Sequence, residues 1–262
     1  MNRPVGDIEV GYSECGAGAP VVLIHGLAED RCSWSAVQDR LSDFHTYAYD
    51  LRGHGETDVG NADGTLAQLG GDLIRFLESV SGASACVGYS LGGTVVLWAA
   101  LERPDLIPHA IVTGTSTVVG KAAVGFFRDR IRSIEADFSA FAAALRDDTA
   151  AQIVAADIDL DAITARRLEA IGDGRGYVNA ACAMLGLHEQ PLTPRLSGLH
   201  CPVDVIAGAG DVFCPRKAAN IMLGALVNGT YHEIANCGHL MSVDQPEAYA
   251  ETLATVLGKN PR

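Results

Sequence analysis

Positive charge is what this chain has least of. Its 262 residues carry 19 Lys and Arg against 32 Asp and Glu, a formal net charge of −13. A nucleic acid or an anionic membrane surface would be repelled unless a local basic patch overcame that balance, and no run of Lys and Arg supplies one. Neither is expected as a partner. Long apolar runs are missing too: no stretch approaches the roughly 20 residues that span a bilayer. The opening MNRPVGDIEVGY also lacks the basic segment and apolar core of a signal peptide. The expectation is a soluble, cytoplasmic protein. The cysteines lack any pairing pattern. Cys15, Cys32, Cys86, Cys182, Cys201, Cys214 and Cys237 are odd in number, scattered, and never spaced C-x-x-C, which excludes a disulfide framework and a zinc site as readings. Free thiols are expected, with no metal and no other cofactor.

What is present is 48% hydrophobic content and 29 glycines, which suits a packed, turn-rich α/β globule of one domain or of one domain with a large insertion. Short apolar runs at 6–12, 20–26, 45–50, 84–90, 109–115, 202–208 and 230–236 read as strands. They alternate with helical patterns at 35–41, 66–80, 91–102, 215–226 and 245–257. Such alternation predicts a mainly parallel sheet with helices on both faces. The last helix is announced by Asp244-Gln-Pro-Glu247, which resembles a capping box with proline in the first turn.

From 116 to 200 no strand is apparent. The expected organisation is a core from 1 to 115, a helical cap from 116 to 200, and the rest of the core from 201 to 262. Within the insertion Phe127, Ile131, Ile134, Phe138, Phe141 and Leu145 recur at helical spacing and predict one amphipathic stripe. Further helices are expected near 163–171 and 178–187, with Gly172, Gly174 and Gly176 as breaks. Ligands of open α/β sheets bind beyond the carboxyl ends of the strands, so a cap there shapes a pocket.

The chemistry centres on Gly88-Tyr-Ser-Leu-Gly92, at the junction of an apolar strand and an apolar helix. G-x-S-x-G on such a turn lifts the serine hydroxyl clear of the backbone as a nucleophile, although a serine there could also simply cap the helix. A serine nucleophile needs a base, and His239 lies on a loop after a strand, whereas His25 ends a strand at His-Gly and His54 sits inside the tight turn Arg52-Gly-His-Gly55. The base needs an orienting carboxylate. Asp211 follows a strand in Gly208-Ala-Gly-Asp211, while the loop after Gly114 offers only Thr115, Ser116 and Thr117. Asp244 is near His239 but reads as the helix cap. The backbone amides of Leu27 and Leu91 are placed to stabilise an oxyanion. Arg128 and Arg132, one turn apart on the face away from the stripe, are candidates to pair with a substrate carboxylate; the alternative is a solvated face.

Together His25-Gly-Leu27, Asp50-LRGHGET-Asp58, Gly88-YSLG-Gly93, Leu101-ERPDL-Ile107, Gly208-AG-Asp211 and Cys237-GHL240 resemble the α/β-hydrolase fold superfamily. The likeness is to its small-molecule esterases and lactonases, including the enol-lactonase group. The resemblance implies a triad of Ser90, Asp211 and His239, oxyanion donors at Leu27 and Leu91, a small-molecule substrate and no cofactor. Serine at the elbow departs from haloalkane dehalogenases and epoxide hydrolases, which use aspartate there. Gly-Tyr-Ser-Leu-Gly-Gly is also similar to menaquinone-pathway lyases, in which an arginine commonly follows where this chain has Thr94. The leading expectation is hydrolysis of a carboxylic ester or lactone through an acyl-serine. Lyase or carbon–carbon bond hydrolysis on the same triad, and a non-catalytic small-molecule receptor, stand as alternatives.

Overall fold

The computed structural model describes residues 1–258. Eight strands form one sheet: β1 (Asn2–Val5), β2 (Ile8–Cys15), β3 (Ala19–Ile24), β4 (Phe44–Tyr49), β5 (Ala85–Tyr89), β6 (Ala110–Thr113), β7 (Val203–Gly208) and β8 (Gly229–Ile234). Their spatial order is β1-β2-β4-β3-β5-β6-β7-β8. The first two strands join antiparallel and all later pairings are parallel. β1 lies outside the strands expected from apolar runs. Its Asn-Arg-Pro-Val is short and contains a proline that cannot donate to a ladder, which suits an edge strand and gives no apolar run to read.

The central strands are apolar on both faces because helices cover both, as parallel sheets require. One face buries Val22, Ile24, Val112 and Val205 with the helices Leu66–Phe76 and Leu91–Glu102. The other buries Leu23, Val87 and Ile206 with Ser35–Arg40 and Pro246–Gly258. Leu91–Glu102 is apolar all round, with Val95, Val96 and Leu97 fully buried, as befits a helix packed between the sheet and its neighbours.

The chain runs outward from β3 to β4 on one side and from β5 to β8 on the other, so the loops after β3 and β5 diverge. That divergence opens a crevice at the carboxyl ends of the two strands. The helices Lys121–Ala136, Phe138–Ala151, Leu160–Ile171 and Arg175–Glu189 occupy the interval between β6 and β7. The predicted single stripe is divided between the first two of them. Asp137 adopts an extended backbone and its carboxylate accepts the amides of Ser139 and Ala140, ending one helix and capping the next. Gly172 and Gly174 take positive φ at the expected break, but Gly176 lies within a helix. An added Cβ there would lie 2.0 Å from the Gly53 carbonyl oxygen, so glycine permits backbone to meet backbone where the insertion touches the sheet's loops.

Candidate active site

Ser90 follows β5 directly and opens the helix Leu91–Glu102 with φ 52° and ψ −115°. Few residues with a Cβ hold such a conformation unless their surroundings impose it. Here the Ser90 amide donates to Thr113 O at 2.8 Å, and glycines keep the turn tight. A Cβ on Gly88 would lie 2.3 Å from Gly92 O, and one on Gly92 would lie 2.3 Å from Ile24 O.

The His239 loop reaches back across β7 and β6 from the end of β8. A Cβ on Gly208 would stand 2.3 Å from Gly238 O, and one on Gly114, at φ 54°, would stand 3.2 Å from His239 Nδ1. Ser90 Oγ lies 3.1 Å from His239 Nε2, and Asp211 Oδ2 accepts from His239 Nδ1 at 2.7 Å. Because a carboxylate only accepts, Nδ1 carries the hydrogen, and in the neutral ring Nε2 then presents a lone pair to the serine. The ring lies between Tyr89 and Phe213, with centroids 5.2 and 5.5 Å away. Burial by itself raises the Asp211 pKa, but His239 and the amides of Cys214 and Phe213, both donating to Oδ1 at 2.8 Å, hold it below the usual carboxylate range. The site therefore keeps a buried carboxylate ionised beside an imidazole.

His25 shapes the loop after β3. Its Nδ1–H donates to Gly26 O at 2.8 Å and its Nε2 accepts from Leu51 N at 2.9 Å, so both nitrogens serve a neutral ring. Burial depresses its pKa to about 4. Since C=O and N–H point oppositely across a trans peptide, fixing the Gly26 carbonyl toward His25 turns the Leu27 N–H the other way. Leu27 and Leu91 both line the cavity that holds Ser90. Among the described residues, neither amide donates to another backbone group. A Cβ on Gly26 would lie 3.1 Å from Ser90 Cβ, which sets how closely the two loops meet.

The cavity measures about 750 Å³ and is mostly apolar, with Phe126, Phe127, Leu145, Tyr177 and Met184 contributed by the insertion. Ser90, Asp211, His239, Leu27 and Leu91 thus converge at one end of the sheet. Arg128 and Arg132 do not join them. Both are exposed and neither lines the cavity; Arg132 pairs with Asp129 at 3.5 Å. The helix turns its apolar stripe inward and these side chains outward, the solvated-face arrangement.

The capping reading of Asp244 is also corrected. Its buried carboxylate accepts from Gly238 N, from Val154 N at 2.9 Å and from Ala155 N at 2.7 Å, while Glu247 pairs with Arg40. Gln152 O accepts the amides of His239 and Leu240 at 2.8 and 3.2 Å. These contacts stitch the end of the helix Phe138–Ala151 to the histidine loop. Sequence reasoning also passed over Arg167 and Glu29, both buried beside the Leu27 turn. Burial pushes the Glu29 carboxyl pKa up, against the pull of Arg167. No motif marks either residue: Arg167 bonds to carbonyls 139 and 140 positions away, and Glu29 accepts from Gly26 N at 3.4 Å within its own turn.

All seven cysteines are unpaired. Among the described residues there is no cluster of three His, Cys, Asp or Glu side chains fit for a metal, and no helix long and apolar enough to cross a membrane.

Comparison with known proteins finds relatives of this chain. The sequence model of the alpha/beta hydrolase fold family matches residues 19–246. The chain is 26% identical over 257 residues to 3-oxoadipate enol-lactonase 2 of Acinetobacter baylyi, covering 96% of this chain and 94% of that protein. It is 27% identical over 241 residues to a protein of Enterobacter cloacae named putative carbamate hydrolase RutD, covering 88% and 89% respectively. Among solved structures, the enol-lactonase from Burkholderia xenovorans LB400 superposes with a TM-score of 0.88 at 22% identity, covering 99% of this chain and 100% of that one.

Proposed function

This chain belongs to the alpha/beta hydrolase fold family and is a hydrolase, and from that premise we propose that it cleaves a small carboxylic ester or lactone through an acyl-enzyme on Ser90. The observation that carries the reading is the unbroken relay from Asp211 through His239 to Ser90, ending in a largely apolar cavity. In this reading His239 Nε2 takes the hydroxyl proton as Ser90 Oγ attacks the acyl carbon. The carbonyl electron pair moves to oxygen, where the amides of Leu27 and Leu91 meet the developing charge. Collapse expels the alkoxide, which receives the proton from His239. Water, deprotonated by the same ring, then attacks the acyl-serine and releases the acid. Asp211 stays ionised throughout and stabilises the imidazolium.

The apolar lining suits a small organic acyl or leaving group, and relatives named as an enol-lactonase and a carbamate hydrolase support acyl chemistry of this kind. Thr94, where the lyase resemblance expects arginine, is fully buried and donates to Ser116 O at 3.0 Å, which weighs against that alternative. The test is turnover of p-nitrophenyl acetate, followed by rapid acid quench and intact-mass analysis. A burst of nitrophenol and an acetyl adduct mapped to Ser90 are expected. Turnover with no adduct at any quench time, even with a slowly deacylating ester, overturns the acyl-enzyme and favours the lyase or carbon–carbon hydrolase chemistry. Binding of esters without turnover favours a receptor.

A further inference from the structure

Arg167, on the helix Leu160–Ile171, is 8% exposed and lines the cavity that holds Ser90. A buried guanidinium ordinarily faces a carboxylate. No carboxylate oxygen of the described residues lies within ion-pair distance of this one. Instead Nε donates to Ala28 O at 3.3 Å, Nη2 to Leu27 O at 3.4 Å, and Nη1 to Thr149 Oγ1 at 2.8 Å. Glu29 acts on it only through its field. The carbonyls it grips belong to a turn that needs holding, because Ala28 has φ 58°, a left-handed conformation that a residue with a Cβ rarely keeps unaided.

We infer that Arg167 is a positioning residue, by which the insertion locks the Leu27–Ala28 turn so that the Leu27 amide faces the oxygen of the reacting carbonyl. The inference rests on the acyl-transfer reading given above. The Leu27 N–H is held from both sides: His25 fixes the Gly26 carbonyl of its own peptide, and Arg167 fixes the Leu27 and Ala28 carbonyls that follow. Thr149 in turn anchors the guanidinium, its own hydroxyl donating to Leu145 O at 2.6 Å. An oxyanion donor thereby depends on a side chain from outside the sheet.

The test uses the whole protein with Arg167→Met, Arg167→Lys and Thr149→Val. The readouts are steady-state hydrolysis of p-nitrophenyl acetate and of mono-p-nitrophenyl glutarate, and inhibition by a trifluoromethyl ketone, whose serine adduct bears the same oxyanion. R167M should lose about tenfold to a hundredfold in kcat/KM on both esters, mostly in kcat, and lose trifluoromethyl ketone affinity in parallel. R167K, able to reach one carbonyl, should fall between. A merely structural arginine would lower Tm without coupling ketone affinity to kcat/KM. A loss confined to the glutarate ester would overturn the inference by assigning the guanidinium to substrate charge, and unchanged kinetics would overturn it outright. Should R167M not fold, T149V decides on the same readouts: a smaller, parallel loss supports the inference, and no loss overturns it. A wild type inert to both esters, or turnover surviving in S90A, defeats the hydrolase reading and the inference with it. An active wild type matched by R167M defeats the inference alone.

Discussion

In the sheet, Ser90 sits where one apolar element gives way to another, and the buried Val87, Val95 and Val96 around it fix the turn through packing that is nearly local in sequence. In the insertion, Arg167 lies on a helix with Arg166 and Glu169 exposed on either side, and what places it is a grip on Leu27 and Ala28, 139 residues or more away. The difference teaches where the function is vulnerable. Ser90 is set largely by its own strand and helix, whereas the groups that hold the His239 loop and the Leu27 turn come from across the molecule.

The strongest test of this contrast lies in the sheet. Ser90→Ala should abolish turnover, by at least about a thousandfold, and Asp211→Asn should lower kcat by roughly a thousandfold or more through loss of the correct His239 tautomer. Both should leave Tm nearly unchanged. If Asp211→Asn is almost silent and another carboxylate proves essential, the assignment of the acid is wrong.

Next comes the stitch between the two regions. Asp244→Ala strips the acceptor from three amides, two in the insertion and one beside His239. Leaving buried donors unsatisfied costs about 1–3 kcal/mol each, so urea unfolding should show a loss of a few kcal/mol. Activity should fall more steeply than in a control core truncation of equal ΔΔG. Equal losses would mean that Asp244 stabilises the protein without aligning His239.

A third effect belongs to the loops beneath the insertion. Burial holds the His25 pKa at about 4 and that of His54 at about 3, each below the ordinary value near 6.5. Below pH 6.5 the unfolded chain binds protons that the native rings refuse, so stability is undiminished above that pH and falls as pH drops toward 4. Each such proton contributes a slope of about 1.4 kcal/mol per pH unit. Tm measured from pH 7 to pH 5 should decline, and His54→Gln should flatten the decline. A Tm rising on acidification would show that the rings are not held neutral.

The smallest effect sharpens the comparison within the insertion itself. Arg128→Ala and Arg132→Ala should leave kcat/KM unchanged and stability within about 0.5 kcal/mol, as for ordinary surface substitutions. A rise in KM for a carboxylate-bearing ester alone would return these side chains to the substrate.

Legibility in the sequence follows the same division. The central strands β3 to β7 show as apolar runs because both of their faces are covered, and Leu91–Glu102 shows because it is buried nearly all round. β1 does not, since an edge strand of Asn-Arg-Pro-Val needs no apolar face. The stripe from Phe127 to Leu145 was visible, but its break was not. Hydrophobic spacing continues across Asp137, and only the bonds from that carboxylate to the Ser139 and Ala140 amides reveal that the chain turns. Asp244 reads as a helix-start residue, but its carboxylate serves Gly238 N beside the histidine and, decisively, two amides 89 and 90 residues away.

Taken alone, the sequence determined the sheet's alternation with helices, the turn that carries Ser90, and the loops that carry His239 and Asp211. Each of these is written in periodicity or in glycine spacing within a few residues, where chain sterics and burial act directly. Tertiary structure alone decided that Ser90, His239 and Asp211 meet at hydrogen-bonding distance, that Gly114 leaves room for the imidazole, that Arg128 and Arg132 face water, and that Arg167 faces the Leu27 turn. Those outcomes depend on which elements the fold brings together, and a hydrogen bond between residues more than a hundred positions apart leaves no periodic trace in either partner's neighbourhood.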